Sequence, residues 1–192
     1  MNARTQKQSR GGGVALYAVP VVLVTCVDDC GRANIITLAW VGVVCSEPPQ
    51  IGIAIRPDRY SHGLIEKSGQ FVVNIPGEDL LGAADICGTV SGRDVDKFAR
   101  TGLTPEPASQ VAPPLIAECP VNIECVLRHK LTLGSHDLFI GEVVAVHVDR
   151  TVLTEKGRID FAKAKPVTYN QGEYWGLGCM LERHGFTRRR EK

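Results

Sequence analysis

Two polar segments of the sequence carry the residue types that bind phosphate groups. The first, "RPDRYSHGLI", comes where a predicted strand ends and a predicted helix begins, and its candidate residues are Arg56, Arg59, Ser61 and His62. Amides at a helix N-terminus combine partial positive charge with unsatisfied donors, and a guanidinium can hold a phosphate through two hydrogen bonds. The segment is therefore a candidate anion site, while Ser61 has the alternative interpretation of an ordinary helix N-cap.

A second segment, "GTVSGRDVDKF", offers a similar mixture in Thr89, Ser91, Gly92, Arg93 and Lys97. Hydroxyl groups and cations that share a loop can also surround an anion. Lys97 is expected here to be a charge that solvent reaches. The alternative interpretation of the segment is a solvated turn ahead of a short helix. Two such loops in one small domain favour an anion site, but from these residues alone both interpretations stay open.

A third group of polar residues lies in or between two consecutive apolar runs, "ANIITLAWVGVVC" and "IGIAIR". Its members are Asn34, Thr37, Trp40, Cys45 and Ser46. Hydrogen-bonding groups and an indole at this density are unusual in strands, and they favour a bound ligand over a plain sheet. Trp40 has the equally weighted alternative of a core residue.

The elements that would position these residues are mostly strands. β-rich runs precede and follow the opening turn "DDCGR", and others occur at "QFVVNIP" and in a long hairpin around "GSHD". Helical periodicity appears in "YSHGLIEKSG" and "GEDLLGAADICG", and a short helix is expected near the C-terminus. Because this order is not a strict βαβ alternation, we predict a β-rich α+β fold, a closed or partly closed antiparallel barrel with covering helices.

The domain boundaries follow from composition. Residues 1–13, which end in "GGG", are predicted to be a disordered tail; residues 14–181 form one domain, and residues 182–192 are a basic tail. The net charge of +1 is the sum of two basic ends and an acidic body between them. An acidic body is not expected to have the basic face of a nucleic-acid-binding protein. The "TRRREK" end is expected to be solvated, with an RNA or an acidic partner as the alternative.

Several classes of protein are disfavoured by absent patterns. No apolar run reaches the roughly 18 residues of a membrane span, and no secretory signal is visible, so a cytoplasmic location is expected. The sequence also lacks a G-x-G-x-x-G opening a helix, a G-K-[ST] phosphate loop, a G-x-S-x-G elbow and an H-E-x-x-H pair. The composition, 44% hydrophobic and 22% charged, is typical of a globular protein.

Seven cysteines are many for such a chain. No C-x-x-C pair and no nearby pair of histidines supports a metal site, and an odd count argues against a full disulfide framework. Most of the cysteines lie in apolar runs, where the thiol packs as a small hydrophobe. We interpret them as mainly structural, with Cys45 as the exception because it stands beside polar positions.

Taken in order, these segments resemble one known family. The run "DDCGRANIITLAWVGVVCSEPPQIGIAIRPDRYSHGLIEKSGQFVVNIP", followed by "ICGTVSGRDVDKFARTGL" and "YNQGEYWGLG", is similar to the flavin reductase-like family and in particular to its flavoredoxin-type members. The resemblance covers roughly residues 15–180. It implies an FMN-binding split β-barrel that works as a homodimer, with the flavin near the subunit interface.

The resemblance also implies roles for the residues singled out above. Five of them would line the isoalloxazine and ribityl groups: Asn34, Thr37, Trp40, Cys45 and Ser46. Six would approach the phosphate: Arg56, Ser61, His62, Thr89, Ser91 and Lys97. Two departures from the family pattern are the cysteine in "DDCG" and His62 after the serine, whose direction toward phosphate or solvent is open.

The implied function is that of an FMN-dependent oxidoreductase. NAD(P)H is the possible electron donor, and free flavin, ferric iron, another small molecule or a redox protein is the acceptor. Because the flavin carries the chemistry, no side chain is assigned a catalytic role. The alternatives are a split barrel that binds heme, a deazaflavin or pyridoxal phosphate, and a non-enzymatic binding module. The long apolar hairpin and the adjacent Tyr174 and Trp175 independently favour a dimer.

Overall fold

The computed structural model describes residues 7–189. Its strands are β1 (Val19–Pro20), β2 (Val22–Val27), β3 (Ala33–Leu38), β4 (Val41–Ser46), β5 (Pro49–Ile55), β6 (Gln70–Ile75), β7 (Pro105–Glu106), β8 (Leu115–Ile116), β9 (Val121–Thr132), β10 (Asp137–Val148), β11 (Val167–Asn170) and β12 (Glu173–Gly176). Its α-helices are α1 (Tyr60–Ser68), α2 (Leu81–Thr89), α3 (Lys97–Thr101), α4 (Phe161–Ala164) and α5 (Phe186–Arg189), with 3₁₀ turns at Glu78–Leu80 and Arg150–Val152.

Seven strands form one antiparallel sheet in the order β3-β2-β6-β9-β10-β5-β4. In a flat sheet its two edge strands would lie about 29 Å apart, since neighbouring strands are about 4.8 Å apart. Only Ala39 and Trp40 join these edge strands, and the three Cα–Cα steps between them span at most about 11 Å. The sheet must therefore curl until its edges nearly meet. The result is a split β-barrel, with a seam where the edges approach.

The barrel has two apolar sides, and β2 contributes to both. Val22, Val24 and Cys26 pack inside with Phe71 and Phe139, whereas the alternate residue Leu23 packs outward beneath α2 and α3. A strand buried on both faces reads as a continuous apolar run, which is why "VVLVTCV" shows no alternation. Small sheets of β1-β11-β12 and β7-β8 complete the structure.

The expected fold class is confirmed, and most of the predicted elements are found where the sequence placed them. One correction is that "ANIITLAWVGVVC" is two strands, broken at Ala39 and Trp40, because the chain crosses there from one sheet edge to the other. A short helix, α5, lies in the C-terminal segment, as predicted. No helix within residues 7–189 is both long and apolar enough to cross a membrane.

The proposed tails are only partly covered by the structure. Residues 7–13 are exposed and lie in neither a helix nor a strand, while residues 1–6 and 190–192 lie outside the described residues. The boundaries of the domain at residues 14 and 181 therefore stay predictions.

A buried carboxylate holds the proline-rich segment 105–114 against the barrel. Glu124 of β9 has no exposed surface, and its oxygens accept from the amides of Ser109 (2.8 Å), Gln110 (2.6 Å) and Val111 (3.1 Å) and contact His147 Nε2 at 2.6 Å. Burial alone would raise the pKa of Glu124, but the hydrogen bonds from Ser109, His147 and Gln110 outweigh it and lower the pKa to about 2.

We predict that Glu124→Gln lowers the free energy of unfolding by about 2 kcal/mol at pH 7, because the new amide group faces N–H donors that it cannot satisfy. The folded-state pKa is depressed, so this contribution is present above the ordinary carboxyl pKa of 4.5 and is lost as the pH falls toward 2. Urea denaturation at pH 7 and pH 3 measures both effects. Glu106→Gln, on exposed β7, is the control. If both variants have the wild-type free energy of unfolding, the hydrogen bonds of Glu124 contribute nothing to stability.

Candidate functional site

A cleft opens at the seam of the barrel and has two connected parts. The wide compartment, about 290 Å³, is lined by Tyr17, Ile36, Thr37, Leu38, Ala39, Trp40, Ala54, Ile55, Arg56, Arg59, Gly88, His136 and Tyr169. The narrow compartment, about 150 Å³, is lined by Asn34, Ile36, Asp58, Arg59, Tyr60, Ser61, Cys87, Gly88, Val90, Ser91, Gly92, Arg93 and Lys97. Ile36, Arg59 and Gly88 belong to both, so a single elongated ligand can occupy the two compartments together.

Ser61 lies in the first turn of α1 and lines the narrow compartment. Its side chain is buried, and its Oγ accepts a hydrogen bond of 2.8 Å from Asn34 Nδ2. The N-cap of α1 is Arg59, so the interpretation of Ser61 as the N-cap was wrong. The first amides of a helix have no acceptor within the helix. The helix start therefore presents N–H groups and a hydroxyl to the compartment.

Lys97 supplies a cation to the same compartment from α3. The side chain is buried, contrary to the expectation that solvent reaches it, and Nζ donates to the carbonyl oxygens of Ile35 and Cys87 at 2.7 Å each. Burial lowers the pKa of Lys97, and the nearby thiols of Cys87 and Cys26 oppose this. No carboxylate of the described residues lies within ion-pair distance of the ammonium, so its charge is uncompensated within the protein part that is described.

Two arginines add positive charge at the rim of the narrow compartment. Arg93 donates to the Asp58 carbonyl oxygen at 3.2 Å and lies 5.3 Å above the Tyr60 ring. Arg59 makes no side-chain hydrogen bond or ion pair to another residue of the described range. The one acidic residue of the lining, Asp58, pairs with Arg56 at 3.6 Å. The compartment is thus electropositive, which favours an anion.

The floor of the narrow compartment depends on a glycine. A Cβ built on Gly92 would lie 1.9 Å from Asn34 Oδ1 and 3.1 Å from the Tyr60 ring. Only a residue without a side chain lets the loop backbone approach β3 and α1 this closely. Gly92 therefore keeps the Asn34 amide in position to donate to Ser61.

The wide compartment has aromatic walls. The Trp40 and His136 rings lie 4.3 Å apart between centroids, and Tyr17 lies 6.4 Å from Tyr169. Burial, helped by the charges of Arg56 and Arg59, lowers the pKa of His136, which favours the neutral imidazole. Thr37 is held by a hydrogen bond of 2.5 Å to the Ala84 carbonyl oxygen. Flat, mostly uncharged walls suit a planar ring system.

The structure brings most of the predicted site residues together. Seven of them line the cleft: Asn34, Thr37, Trp40, Arg56, Ser61, Ser91 and Lys97. They come from β3, its connection to β4, the segment between the end of β5 and the first turn of α1, the loop that precedes α3 and the first residue of α3. The seam accounts for this gathering, because all of these segments border it.

Four predicted site residues lie elsewhere. Cys45 and Ser46 are at the far end of β4, about 16 Å along the strand from Trp40, and Cys45 Sγ contacts the Glu47 carbonyl oxygen at 3.4 Å. Thr89 donates to the Asp85 carbonyl oxygen of its own helix at 2.9 Å. His62 is buried against Asp137, so it points neither toward the compartment nor toward solvent. In the single chain these four are not part of the cleft.

Other lining residues were missed by sequence reasoning. His136 lies in the "GSHD" turn, which was predicted as a turn without any indication that it reaches Trp40, 96 positions earlier. Tyr17 and Tyr169 also line the wide compartment, although neither was among the predicted site residues. Within the described part of the chain, no group of three or more His, Cys, Asp or Glu side chains is placed to hold a metal ion.

Comparison with known proteins relates the whole barrel to one family and to solved structures. Residues 14–178 match the family model described as the flavin reductase like domain. The chain is similar to the flavoredoxin of Desulfovibrio vulgaris (Miyazaki F), with 36% identity, a TM-score of 0.89 and coverage of 94% of this chain and 98% of that one.

Two further solved structures extend the similarity. For the flavoredoxin from Methanosarcina acetivorans the identity is 28%, the TM-score 0.88 and the coverage 98% of this chain and 100% of that one. For an FMN-binding protein from Thermus thermophilus with bound 1-cyclohex-2-enone the identity is 26% and the TM-score 0.78, with coverage of 95% of this chain and 99% of that one.

We predict that Gly92→Ala displaces the Asn34 amide from Ser61 and lowers the free energy of unfolding by about 1–3 kcal/mol, since the added methyl group overlaps Asn34 Oδ1. Gly63→Ala is the matched control: it lies inside α1 with nothing within 4 Å of its added Cβ, so it should raise stability by about 0.5–1 kcal/mol. Thermal unfolding of both variants measures this. Equal changes in stability for the Gly92 and Gly63 variants would contradict the close approach of Gly92 to Asn34.

Proposed function

Because this chain belongs to the flavin reductase-like family, we propose that it is an FMN-binding oxidoreductase whose flavin occupies the cleft at the barrel seam. One observation carries the proposal: an electropositive narrow compartment opens directly into a wide one with aromatic walls. FMN has the same two-part chemistry, a phosphate dianion joined through a polyol to a flat ring. The neighbouring flavoredoxins and the FMN-binding protein support this choice of ligand.

The narrow compartment fits the phosphate. Ser61 offers a hydroxyl and the first-turn amides of α1, and Arg59 is a cation without a partner among the described residues. The buried Lys97 ammonium has three N–H donors, of which two reach carbonyl oxygens. An uncompensated buried cation is costly. A phosphate group in this compartment would offset that cost, so the residues present fit the group.

The wide compartment fits the ring. Trp40, Tyr169 and His136 give it aromatic surface, while Thr37 and backbone groups of the seam provide hydrogen-bonding partners. Its apolar inner side is formed by Ile36, Leu38 and Ile55 of the barrel core. These residues bind and orient a ring system and keep part of it away from water.

When bound, FMN supplies hydride or electron transfer. We assign the residues of this chain to binding and orientation, with reduced nicotinamide as the donor of electrons to the flavin. The acceptor would be free flavin, ferric iron, another small molecule or a redox protein.

We also propose that the chain forms a homodimer. Strands β9 and β10, the turn after β9, and the edge strand β4, which β5 separates from β10, expose large apolar side chains: Val43, Val44, Leu131, Leu133, Val144 and Val146. Val43 is 78% exposed, and it lies on the edge strand β4. Exposed apolar edges of this kind are usually covered by a partner. Cys45 and Ser46, on the same strand, would then lie close to the second subunit.

We predict that Ser61→Ala weakens FMN binding by about 1–3 kcal/mol, because a charged phosphate loses a buried hydroxyl donor. Riboflavin lacks the phosphate, so its affinity should not change. Titrating the flavin-free protein with each flavin and following fluorescence quenching measures both constants.

The matched control for this titration is Ser68→Ala at the exposed end of the same helix, which should bind both flavins like the wild type. Equal losses for FMN and riboflavin would mean that the Ser61 substitution damages the fold. A wild-type protein that is colourless after purification and binds neither flavin would refute the proposal.

For the dimer we predict a mass of about twice 20.8 kDa by light scattering at micromolar concentration. Val43→Lys should shift the protein toward the monomer, since a charge would be buried in the interface. Leu16→Lys, a change at a residue that is 82% exposed outside this set of strands, should leave the mass unchanged. A wild-type protein that is monomeric and still binds FMN would refute the proposed dimer interface.

A further inference from the structure

A buried histidine and a buried carboxylate meet behind the cleft. His62 Nε2 donates to Asp137 Oδ2 at 2.9 Å, and the two side chains are 8% and 5% exposed. The His62 ring also packs edge-on against Phe139 in the barrel core, with 4.9 Å between ring centroids. The pair thus joins the first turn of α1 to the start of β10, 75 positions later in the chain.

Two further charged residues complete the cluster. Lys130 Nζ lies 3.0 Å from Asp137 Oδ2 and 2.6 Å from Glu66 Oε1, and His62 Nδ1 lies 3.8 Å from Glu66 Oε2. The hydrogen bonds from His62 and Lys130 lower the pKa of Asp137 and keep it ionised. The other oxygen of Asp137, Oδ1, is buried without a hydrogen-bond partner among the described residues.

Stability is a poor explanation for this arrangement. A buried carboxylate loses much of the attraction to its partner through desolvation, and replacing both partners with apolar residues is often neutral or stabilising. The unpaired Oδ1 adds a further cost. The pair therefore calls for a role other than holding the fold together.

The positions of the chain neighbours indicate that role. Ser61 precedes His62 and lines the narrow compartment, and His136 precedes Asp137 and lines the wide compartment. At both places one residue faces the cleft and the next faces the core. A bond between the two core-facing residues therefore fixes the spacing between the two cleft-facing ones.

We propose that His62 and Asp137 are positioning residues that set the distance between the phosphate-binding and ring-binding compartments. The proposal rests on FMN as the ligand. FMN would span both compartments, so its affinity depends on their spacing, whereas riboflavin has no phosphate group to place in the narrow compartment. Small displacements of binding groups cost large factors in affinity or rate.

The experiment compares His62→Leu, Asp137→Leu and the double variant. Each single change leaves one polar partner buried alone, so the melting temperature falls. In the double variant neither polar group is left, and Lys130 keeps Glu66, so the melting temperature recovers toward that of the wild type. FMN affinity should nevertheless be about tenfold or more below wild type in the double variant, with riboflavin affinity changed by less than about threefold.

Two more variants keep the test decisive. His62→Gln places an amide near the position of Nε2 and should recover most of the FMN affinity. His129→Leu, at an exposed residue of the neighbouring strand β9, should bind both flavins like the wild type. If the leucine variants are too unstable to titrate, a His62→Gln variant that binds FMN as weakly as His62→Asn overturns the proposal, since only glutamine reaches the Nε2 position.

The outcomes separate this role from the proposed function. Wild-type FMN affinity in the stable double variant would show that the pair is only structural, and the proposal would be wrong. Parallel losses for FMN and riboflavin would also refute it. A wild-type protein that binds neither flavin would refute FMN binding and, with it, the positioning role.

Discussion

The shortness of one connection determines where this protein can bind a ligand. Two residues, Ala39 and Trp40, join the opposite edges of a seven-stranded sheet, so the sheet must close on itself and leave a seam. Edge strands have unpaired backbone groups that need partners. On β3 one of these, the Ile35 carbonyl oxygen, is satisfied by the Lys97 ammonium. The residues that cover the seam therefore become the walls of the cleft, and the site is a consequence of how the barrel closes.

Charge is distributed along the cleft according to burial. Arg59 and Arg93 are at the rim, where solvent screens them and where they can attract an approaching anion. Lys97 is buried, and hydrogen bonds to two carbonyl oxygens already fix its ammonium group before a ligand binds. Desolvation lowers the pKa of Lys97 and disfavours its charged form. An anion in the narrow compartment would stabilise the charged form of Lys97.

The sequence predicted those parts of the structure that depend on local patterns. Strand runs, the helix α1 ending at Gly69 and the turn at "GSHD" follow from periodicity and from turn residues, and these were found. Burial of Lys97 could not be predicted, because it depends on α3 packing against β3, 62 positions away. Cys45 and Ser46 were grouped with Trp40 because they are close in sequence, but a strand carries them about 16 Å away. His136 was missed for the opposite reason, since it is distant in sequence and near in space.

The same dependence on distant contacts explains why the direction of His62 was left open from the sequence. A residue next to Ser61 in the first turn of a helix points about 100° away from it, since an α-helix has 3.6 residues per turn. When Ser61 faces the cleft, His62 must face the barrel, where Asp137 of β10 meets it. In β10 consecutive side chains alternate between faces, so Asp137 turns inward where His136, just before the strand, faces the cleft. Helical and strand geometry together thus place one residue of each adjacent pair, Ser61 and His136, at the cleft and the other, His62 and Asp137, in the core.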